Sequence, residues 1–294
     1  MGTIASHPTL TGRRWPARHR ALRLAVRAAD ACLDAAGCPP GDLDLVVNAG
    51  LYRDRNLAEP ALAALVQDDI GAHPEDPHPG GHGTFSFDVA NGVCGVLTAL
   101  QVVDGFLRSG AIRRALVVAS DTDPGHGLTE RFPFAAAGGA LMCRWADGDT
   151  GGDSGLGPFR WTNLPDGGES FRATLGPRNG RNRLTISVPS TMDTVFAAAA
   201  GRAARDCLTS AGVTPAEVDL VVAAPARPGF TARLATELDL PAARIAVARD
   251  VRIHTPALIA ALRDAGPLAP GSTVLLVAAG AGVTGGATLY RVPA

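Results

Sequence analysis

The hydrophobic pattern of the chain occurs twice. Residues 31–50, ACLDAAGCPPGDLDLVVNAG, and residues 206–225, DCLTSAGVTPAEVDLVVAAP, both indicate an alanine-rich helix, a glycine C-cap, a proline turn and an apolar strand. The two copies align without a gap at a constant shift of 175 positions. Segments 102–120 and 258–280 form a weaker second pair. Continuous apolar strands are typical of sheets covered on both faces, so the pattern predicts two copies of one α/β unit with sheets between helix layers.

The segment between the two copies has a different composition. Residues 145–180 are rich in glycine, aspartate and proline, which predicts a bridge made mainly of loops. We therefore predict an N-terminal half, residues 1–165, and a C-terminal half, residues 166–294.

Composition narrows the classes of function. Of 294 residues, 46% are hydrophobic and 19% charged, which is typical of a soluble globular protein. The net charge of −1 gives no reason to expect nucleic acid or a membrane as a partner. All 27 basic residues are arginine, which excludes a lysine Schiff base and a Walker-type phosphate loop. The first 20 residues do not resemble a secretory signal, and five scattered cysteines predict a reduced, cytoplasmic protein.

One cysteine lies at a predicted corner between a strand and a helix. Residues 84–90 alternate as a strand does, and residues 94–110 carry apolar side chains at helical spacing, so Cys94 falls in the first helical turn. The unpaired N–H groups and positive end of such a helix favour a thiolate and can hold an oxyanion. A free cysteine is also commonly a small buried apolar residue. Cys94 is therefore either a nucleophile or a core residue, and the other four cysteines are predicted to be structural.

Two further patterns suggest binding sites. Residues 280–286, GAGVTGG, fit the dinucleotide motif GxGxxG, but no helix can follow, so a β-turn explains them better. His73, His78 and His82 lie in a loop rich in proline and glycine, and three imidazoles can bind zinc. Their spacing matches no defined zinc site, so we predict no metal.

Several motifs together resemble the thiolase superfamily, and most of all its β-ketoacyl-acyl-carrier-protein synthase III branch. FDVANGVCGVLTAL is similar to the nucleophile segment of that family, SGAIRRALVVASD to the strand that follows, and PLAPGSTVLLVAAGAGVTGGATLYRV to the C-terminal strand pair. The resemblance covers residues 22–144 and 184–292. It implies a thiolase-like α/β fold, a five-layered αβαβα sandwich, which is usually dimeric. It also implies that Cys94 is loaded with an acyl group from acyl-coenzyme A or acyl-carrier protein, with no bound cofactor.

The resemblance assigns an oxyanion turn but leaves two site residues missing. Gly280, Ala281 and Gly282 correspond to the turn that offers backbone N–H groups to the oxyanion. Family members use a Cys-His-Asn triad that decarboxylates a malonyl thioester. Here no histidine follows the apolar strand at 219–224, and no asparagine occurs after Asn182.

Four residues remain as candidates for base or substrate contacts. His254 is the one histidine of the C-terminal half, and it is either a substitute base for Cys94 or a solvent-capped residue at a helix start. Arg249 and Arg252 lie where the family asparagine is expected, and we treat them as candidate substrate contacts. Arg131 is a candidate contact for a coenzyme A phosphate or an ordinary surface arginine.

These features predict an acyltransferase similar to synthase III, acting in the biosynthesis of a specialised, polyketide-type metabolite. Without the decarboxylation pair, transfer to an oxygen or nitrogen nucleophile is easier to justify than Claisen condensation. The main alternative is a non-catalytic or half-catalytic partner subunit of a ketosynthase, and a third is a thioester hydrolase. We expect a homodimer or a heterodimer with another thiolase-fold subunit.

Overall fold

The structure contains the predicted duplication. The computed structural model describes residues 2–6, 9–11, 20–72, 83–146, 154–165 and 171–294. The helices in these ranges are α1 (Arg20–Ala36), α2 (Leu62–Asp69), α3 (Gly95–Arg108), α4 (Met192–Ala211), α5 (Pro228–Leu238) and α6 (Ala257–Ala265). The strands are β1 (Gly2–Ser6), β2 (Thr9–Thr11), β3 (Leu45–Asn48), β4 (Phe85–Asp88), β5 (Arg114–Asp121), β6 (Ala137–Trp145), β7 (Gly155–Leu156), β8 (Arg160–Asn163), β9 (Arg172–Arg178), β10 (Arg181–Ser187), β11 (Leu220–Ala224), β12 (Ile245–Ala246), β13 (Thr273–Gly280) and β14 (Thr284–Arg291).

Twelve of these strands form two mixed sheets of the same topology, and β9 and β10 form a separate two-stranded sheet. The first has the order β1-β6-β5-β3-β4, and β2 also pairs with β6. The second has the order β7-β14-β13-β11-β12, and β8 also pairs with β14. Strand β3 is parallel to β4 and β5, as β11 is to β12 and β13, whereas β5–β6 and β13–β14 are antiparallel. Strand β3 begins at Leu45 and β11 at Leu220, which preserves the shift seen in the sequence.

Five layers stack across the molecule. Helices α1 and α2 cover the outer face of the first sheet, and α4 and α5 cover the outer face of the second. Helices α3 and α6 lie between the sheets, where Leu97 and Leu258 share one core with Val117 of β5 and Leu276 of β13. Because both faces of each sheet are covered, the central strands are continuous apolar runs. The αβαβα fold is confirmed.

Close packing of α4 on the second sheet depends on a glycine. A Cβ atom at Gly285 of β14 would lie 2.4 Å from the backbone of Ala199, so only glycine fits there without movement of the helix. Helix and strand can therefore approach each other more closely than ordinary side chains allow.

The predicted bridge contains more regular structure than its composition suggests. Strands β7 and β8 pair with β14, and β9 forms a hairpin with β10, so a prediction of mainly loops is wrong for these residues. Glycine and proline mark the turns between the strands but cannot indicate that β14 has a free edge to be paired. The division at residue 165 stays a prediction, and this pairing favours placing residues 155–163 with the C-terminal half.

None of the helices in the described ranges is long and apolar enough to cross a membrane.

Candidate active site

Cys94 lies at the corner that the sequence predicts. Strand β4 ends at Asp88, a short 3-10 turn spans Gly92–Cys94, and α3 begins at Gly95. Gly92 has a φ of +49°, which favours glycine, and Gly95 lies against the carbonyl of Ala49, where a Cβ atom would come within 3.1 Å of the oxygen. Cys94 therefore caps the N-terminus of α3, between the two sheets.

The sulfur of Cys94 is un-ionised in this environment. The residue is fully buried, and its thiol donates to the carbonyl oxygen of Thr284 at 3.7 Å. Burial raises the pKa of the Cys94 thiol to about 12. The helix N-terminus favours a thiolate, but the loss of hydration on burial outweighs this effect. A base is required before this sulfur can attack.

The turn between β13 and β14 lies against the sulfur. A Cβ atom at Gly280 would lie 3.4 Å from the sulfur of Cys94 and 3.6 Å from its backbone nitrogen. Ala281 borders the adjacent cavity, and Gly282, with a φ of +73°, turns the chain back into β14. The structure thus brings Gly280 next to Cys94, whereas Gly282 serves the turn itself.

A cavity of about 170 Å³ adjoins this corner, and we call it the site cavity. Val93, which precedes Cys94, and Gly280, which lies beside its sulfur, form part of the wall, whereas Cys94 itself does not line the cavity. Most of the remaining wall is apolar, and its larger side chains are Phe134, Phe171, Met192 and Phe196. Such a volume suits an apolar group of modest size.

His254 is buried beside the same cavity. Its side chain is 8% exposed and precedes α6, so a solvent-capped histidine at the helix start does not fit the structure. The ring packs among Tyr52, Phe134 and Phe171, with centroid distances of 5.3, 4.1 and 5.7 Å. Its Cε1 atom lies 3.8 Å from the position that a Cβ atom of Gly92 would occupy. Tertiary structure therefore brings His254 to the turn that carries Cys94.

Comparisons with known proteins agree with this arrangement. Residues 208–292 match the family model "3-Oxoacyl-[acyl-carrier-protein (ACP)] synthase III C terminal". A β-ketoacyl-[acyl-carrier-protein] synthase III from Erythrobacter litoralis is 31% identical over 287 residues, covering 91% of this chain and 83% of that protein. The chain belongs to the β-ketoacyl-[acyl-carrier-protein] synthase III family.

Solved structures show the same fold. The priming β-ketosynthase from the R1128 polyketide biosynthetic pathway has a TM-score of 0.81 at 20% identity, with 99% of this chain and 96% of that chain covered. A tetronic acid condensing enzyme has a TM-score of 0.78 at 24% identity, with 98% and 99% covered. The relatives support a synthase III-like function and a transferase or condensing activity.

The surroundings of Cys94 differ from the Cys-His-Asn set that the family resemblance implies. The loop after β11, where the family histidine is expected, contains Pro225, Ala226 and Arg227, and Ala226 is buried. The loop before α6, where the family asparagine is expected, contributes His254 instead. Among the residues that the structure describes, the site cavity thus has one imidazole beside it, that of His254, and neither of the expected partners.

Asp121 is a site residue that sequence reasoning missed. It ends β5, is fully buried and lies with its Oδ2 atom 3.8 Å from Nδ1 of His254. Burial acts to raise the pKa of the Asp121 carboxyl, but the neighbouring His254 and the N–H groups of Tyr52 and Thr255 more than offset it, so the pKa lies below its usual range. The signal in the sequence is an acidic residue directly after an apolar strand, although nothing there identifies its partner.

The predicted arginine contacts differ in their distance from the cavity. Arg252 lines the site cavity and pairs with Asp250 at 2.9 Å. Arg249 is exposed, and its backbone N–H donates to Asp264. Arg131 is exposed and does not line the site cavity. Sequence reasoning missed Arg227, which lines the cavity and donates to Asp193.

No group of three or more histidine, cysteine or acidic residues suited to a metal ion occurs in the ranges that the structure describes. His73, His78 and His82 lie outside those ranges.

Proposed function

We propose that the chain is a synthase III-like acyltransferase that forms an acyl-thioester on Cys94 and passes the acyl group to an acceptor. The observation that supports it is the site cavity, whose wall includes Val93, the residue before Cys94, and Gly280, which lies beside the sulfur of Cys94. The donor is acyl-coenzyme A or an acyl-carrier protein, as the family name implies. The reaction needs no bound cofactor.

Loading of Cys94 requires removal of the thiol proton. Because burial keeps the sulfur un-ionised, we assign His254 as the base that accepts this proton at Nε2. The sulfur then attacks the thioester carbonyl carbon, the bond between that carbon and the donor sulfur breaks, and the donor thiolate takes the proton from His254. The products are the acyl-enzyme and a free donor thiol.

The developing negative charge on the carbonyl oxygen needs donors close to the sulfur. Cys94 is the N-cap of α3, and Gly280, the first residue of the turn at residues 280–282, lies beside the sulfur. Backbone N–H groups from these two elements are the oxyanion donors in this proposal. A preorganised pair of this kind acts without moving during the reaction.

The acceptor step differs from the usual Claisen condensation. Pro225, Ala226 and Arg227 replace the loop that carries the family histidine, so the pair that decarboxylates malonyl thioesters is missing. The acceptor is then an oxygen or nitrogen nucleophile whose proton His254 accepts as it attacks the acyl carbon. The bond between that carbon and the sulfur of Cys94 breaks, and the sulfur takes the proton from His254. Such transfers occur in the biosynthesis of specialised, polyketide-type metabolites, and a polyketide priming ketosynthase is among the proteins of the same fold.

Positive charges near the cavity favour an anionic carrier. Arg252 and Arg227 line the site cavity, and each already pairs with an aspartate, which fixes its position. Arg131 and Arg249 are exposed and complete the group of candidate contacts for the phosphates of coenzyme A or of a carrier protein.

Intact-protein mass spectrometry tests the proposal. The protein is incubated with acetyl-, hexanoyl- and benzoyl-coenzyme A and with hexanoyl-acyl-carrier protein, and the expected result is one acyl adduct. The adduct should be absent from Cys94→Ala and present in Cys207→Ala, since Cys207 is also buried but lies in α4 away from the cavity. Absence of an adduct with all four thioesters would refute the proposal.

The burial of Cys94 also supports a second function. A sulfur with no exposed surface and a raised pKa suits a non-catalytic partner subunit that forms a heterodimer with an active ketosynthase. In that case the chain co-purifies with a thiolase-fold partner, and the activity of the pair survives Cys94→Ala. Loss of the pair's activity in Cys94→Ala would exclude this role.

A homodimer is the assembly proposed for the acyltransferase itself. Strand β4 is the outermost strand of the first sheet, and Phe85 on it leaves 41% of its surface exposed. An exposed edge strand with an apolar side chain can pair with another chain. Sedimentation equilibrium of the purified protein distinguishes the dimer from the monomer, and Phe85→Glu should shift the equilibrium toward the monomer.

A further inference from the structure

The carboxylate of Asp121 is buried and bonded to neutral donors. Its Oδ1 atom accepts from the N–H groups of Leu51 and Tyr52 at 3.3 and 3.0 Å. Its Oδ2 atom accepts from the N–H and the hydroxyl of Thr255 at 2.7 and 2.8 Å. A buried carboxylate is costly without a positive partner, and none of these four donors carries a full charge.

His254 presents the complementary feature, a buried ring nitrogen that needs a hydrogen-bond partner. Its Nδ1 atom is buried and finds no hydrogen-bond partner within the described part of the chain. The polar atom that faces it is Oδ2 of Asp121, at 3.8 Å, which is beyond hydrogen-bond length but short enough for strong attraction in a buried site. A proton on Nδ1 satisfies the imidazole and the carboxylate together, whereas an unprotonated Nδ1 would place two acceptors face to face.

The surrounding rings hold the imidazole in this orientation. Phe134 packs at a centroid distance of 4.1 Å with the planes 31° apart, and Tyr52 and Phe171 close two further sides. Tyr52 also donates its N–H to Asp121, and Thr255 follows His254 in the chain, so both members of the pair are fixed by the same short segments. These contacts fix the plane of the ring, and the Asp121 carboxylate favours the orientation that turns Nδ1 rather than Cδ2 towards it, because an N–H is the better donor.

We propose that Asp121 is a positioning residue that keeps the proton of His254 on Nδ1 and thereby leaves Nε2 as the basic nitrogen for the site cavity. This inference rests on the proposed function, in which His254 serves Cys94. It replaces the Cys-His-Asn triad of the family by a Cys-His-Asp set. Asp121 comes from the N-terminal half and His254 from the C-terminal half, 133 positions later in the chain.

The proton balance of acyl loading follows from this assignment. Nδ1 keeps its proton throughout, and Nε2 gains the proton of the Cys94 thiol as the sulfur attacks. The imidazolium that forms lies between the Asp121 carboxylate and the three aromatic rings, both of which stabilise a cation. When the donor thiolate leaves, it takes the proton from Nε2 and restores the neutral ring. Asp121 exchanges no proton in either step.

Nitrogen-15 NMR of the histidine rings tests the inference directly. Ring nitrogens with and without a proton have well-separated shifts, and the signals of His254 are assigned by their loss in His254→Gln. In the wild-type protein we expect Nδ1 to be protonated and Nε2 to be free. In Asp121→Asn we expect the proton to move to Nε2 or to be shared. A wild-type spectrum with the proton on Nε2 alone overturns the inference, and that spectrum decides even if Asp121→Asn fails to fold.

Acylation kinetics provide the second readout. With hexanoyl-coenzyme A as the probe, we expect His254→Gln to slow loading of Cys94 by about 100-fold, in line with loss of a general base, and Asp121→Asn to slow it by at least about 10-fold. Adding Asp121→Asn to His254→Gln should then have little further effect, because a positioning residue acts through its partner. If the loss of rate in the double variant equals the product of the losses in the two single variants, the two residues act independently and the inference is overturned.

A matched control separates positioning from folding. Asp44 accepts the N–H groups of Arg113 and Arg114 at the opposite end of β5, so Asp44→Asn removes a similar carboxylate far from His254. Thermal unfolding reports the cost of each substitution, and only Asp121→Asn should change the His254 spectrum. If wild-type protein takes no acyl group from any donor, the proposed function fails, while the position of the His254 proton still decides the role of Asp121.

Discussion

Substitution of Gly280 by alanine should close the approach to Cys94 without disturbing the fold. The new Cβ atom would lie 3.4 Å from the sulfur, 3.6 Å from the nitrogen of Cys94 and 3.7 Å from the nitrogen of Val93. These are ordinary van der Waals contacts, and the φ of Gly280 is outside the left-handed region. The free energy of unfolding should therefore stay the same or rise by up to about 1 kcal/mol, because alanine restricts the unfolded chain.

The same methyl group occupies the space that an attacking sulfur needs. A thioester carbon must come within about 3–3.5 Å of the sulfur before the bond forms, and displacement by about 1 Å can slow a reaction by about 100-fold. We expect Gly280→Ala to slow loading of Cys94 by at least that factor, which corresponds to about 2.7 kcal/mol in the activation barrier.

The assay follows the acyl adduct on Cys94 by mass spectrometry over time, alongside thermal unfolding of each variant. Gly105→Ala is the matched control, because Gly105 lies in α3 and a Cβ atom there would have nothing within 4 Å. That variant should be more stable by about 0.5–1 kcal/mol and should load at the wild-type rate. Loading of Gly280→Ala at the wild-type rate would show that the substrate does not approach past this turn.

Three other predictions follow from individual contacts. Gly285→Ala should lower the free energy of unfolding by about 1–3 kcal/mol, because its Cβ atom would lie 2.4 Å from the backbone of Ala199, and denaturant unfolding measures this. Arg252→Gln should raise KM for acyl-coenzyme A more than it lowers kcat, which steady-state kinetics at two salt concentrations would separate. Because the pKa of Asp121 is lowered in the folded protein, its carboxylate stabilises the fold above the ordinary carboxyl range near about pH 4. This stabilisation is lost as the pH falls through the folded-state pKa, so the melting temperature of Asp121→Asn should change less with pH in acid than that of the wild-type protein.

Local sequence patterns predict the helices, turns and strands whose formation depends on residues close together in the chain. The repeated helix, glycine cap and strand appear in the structure as α1 with β3 and α4 with β11, and the corner that carries Cys94 is where the periodicities change. The edge strands β7 and β8 were missed because their pairing depends on β14, more than 100 residues away in the chain.

The site was only partly predictable for the same reason. Cys94, Gly280 and Ala281 could be located because each follows a recognisable strand or turn. The sequence leaves the role of Cys94 open between nucleophile and core residue, since the helix end is visible in the sequence but the depth of burial is not. The contact between Asp121 and His254 joins two halves of the chain, and no spacing rule relates them.

The corner that carries Cys94 lies where the two similar sheets face each other across the middle helix layer, so it depends on both sheets. Cys94 caps α3 and Gly280 ends β13. Helices α3 and α6 fill the space between the two sheets. Leu258 is buried in this middle layer and does not line the site cavity, so its truncation would leave a void between the sheets. The packing of α3 and α6 therefore influences the distance between Cys94 and Gly280, and with it the reactivity of the sulfur.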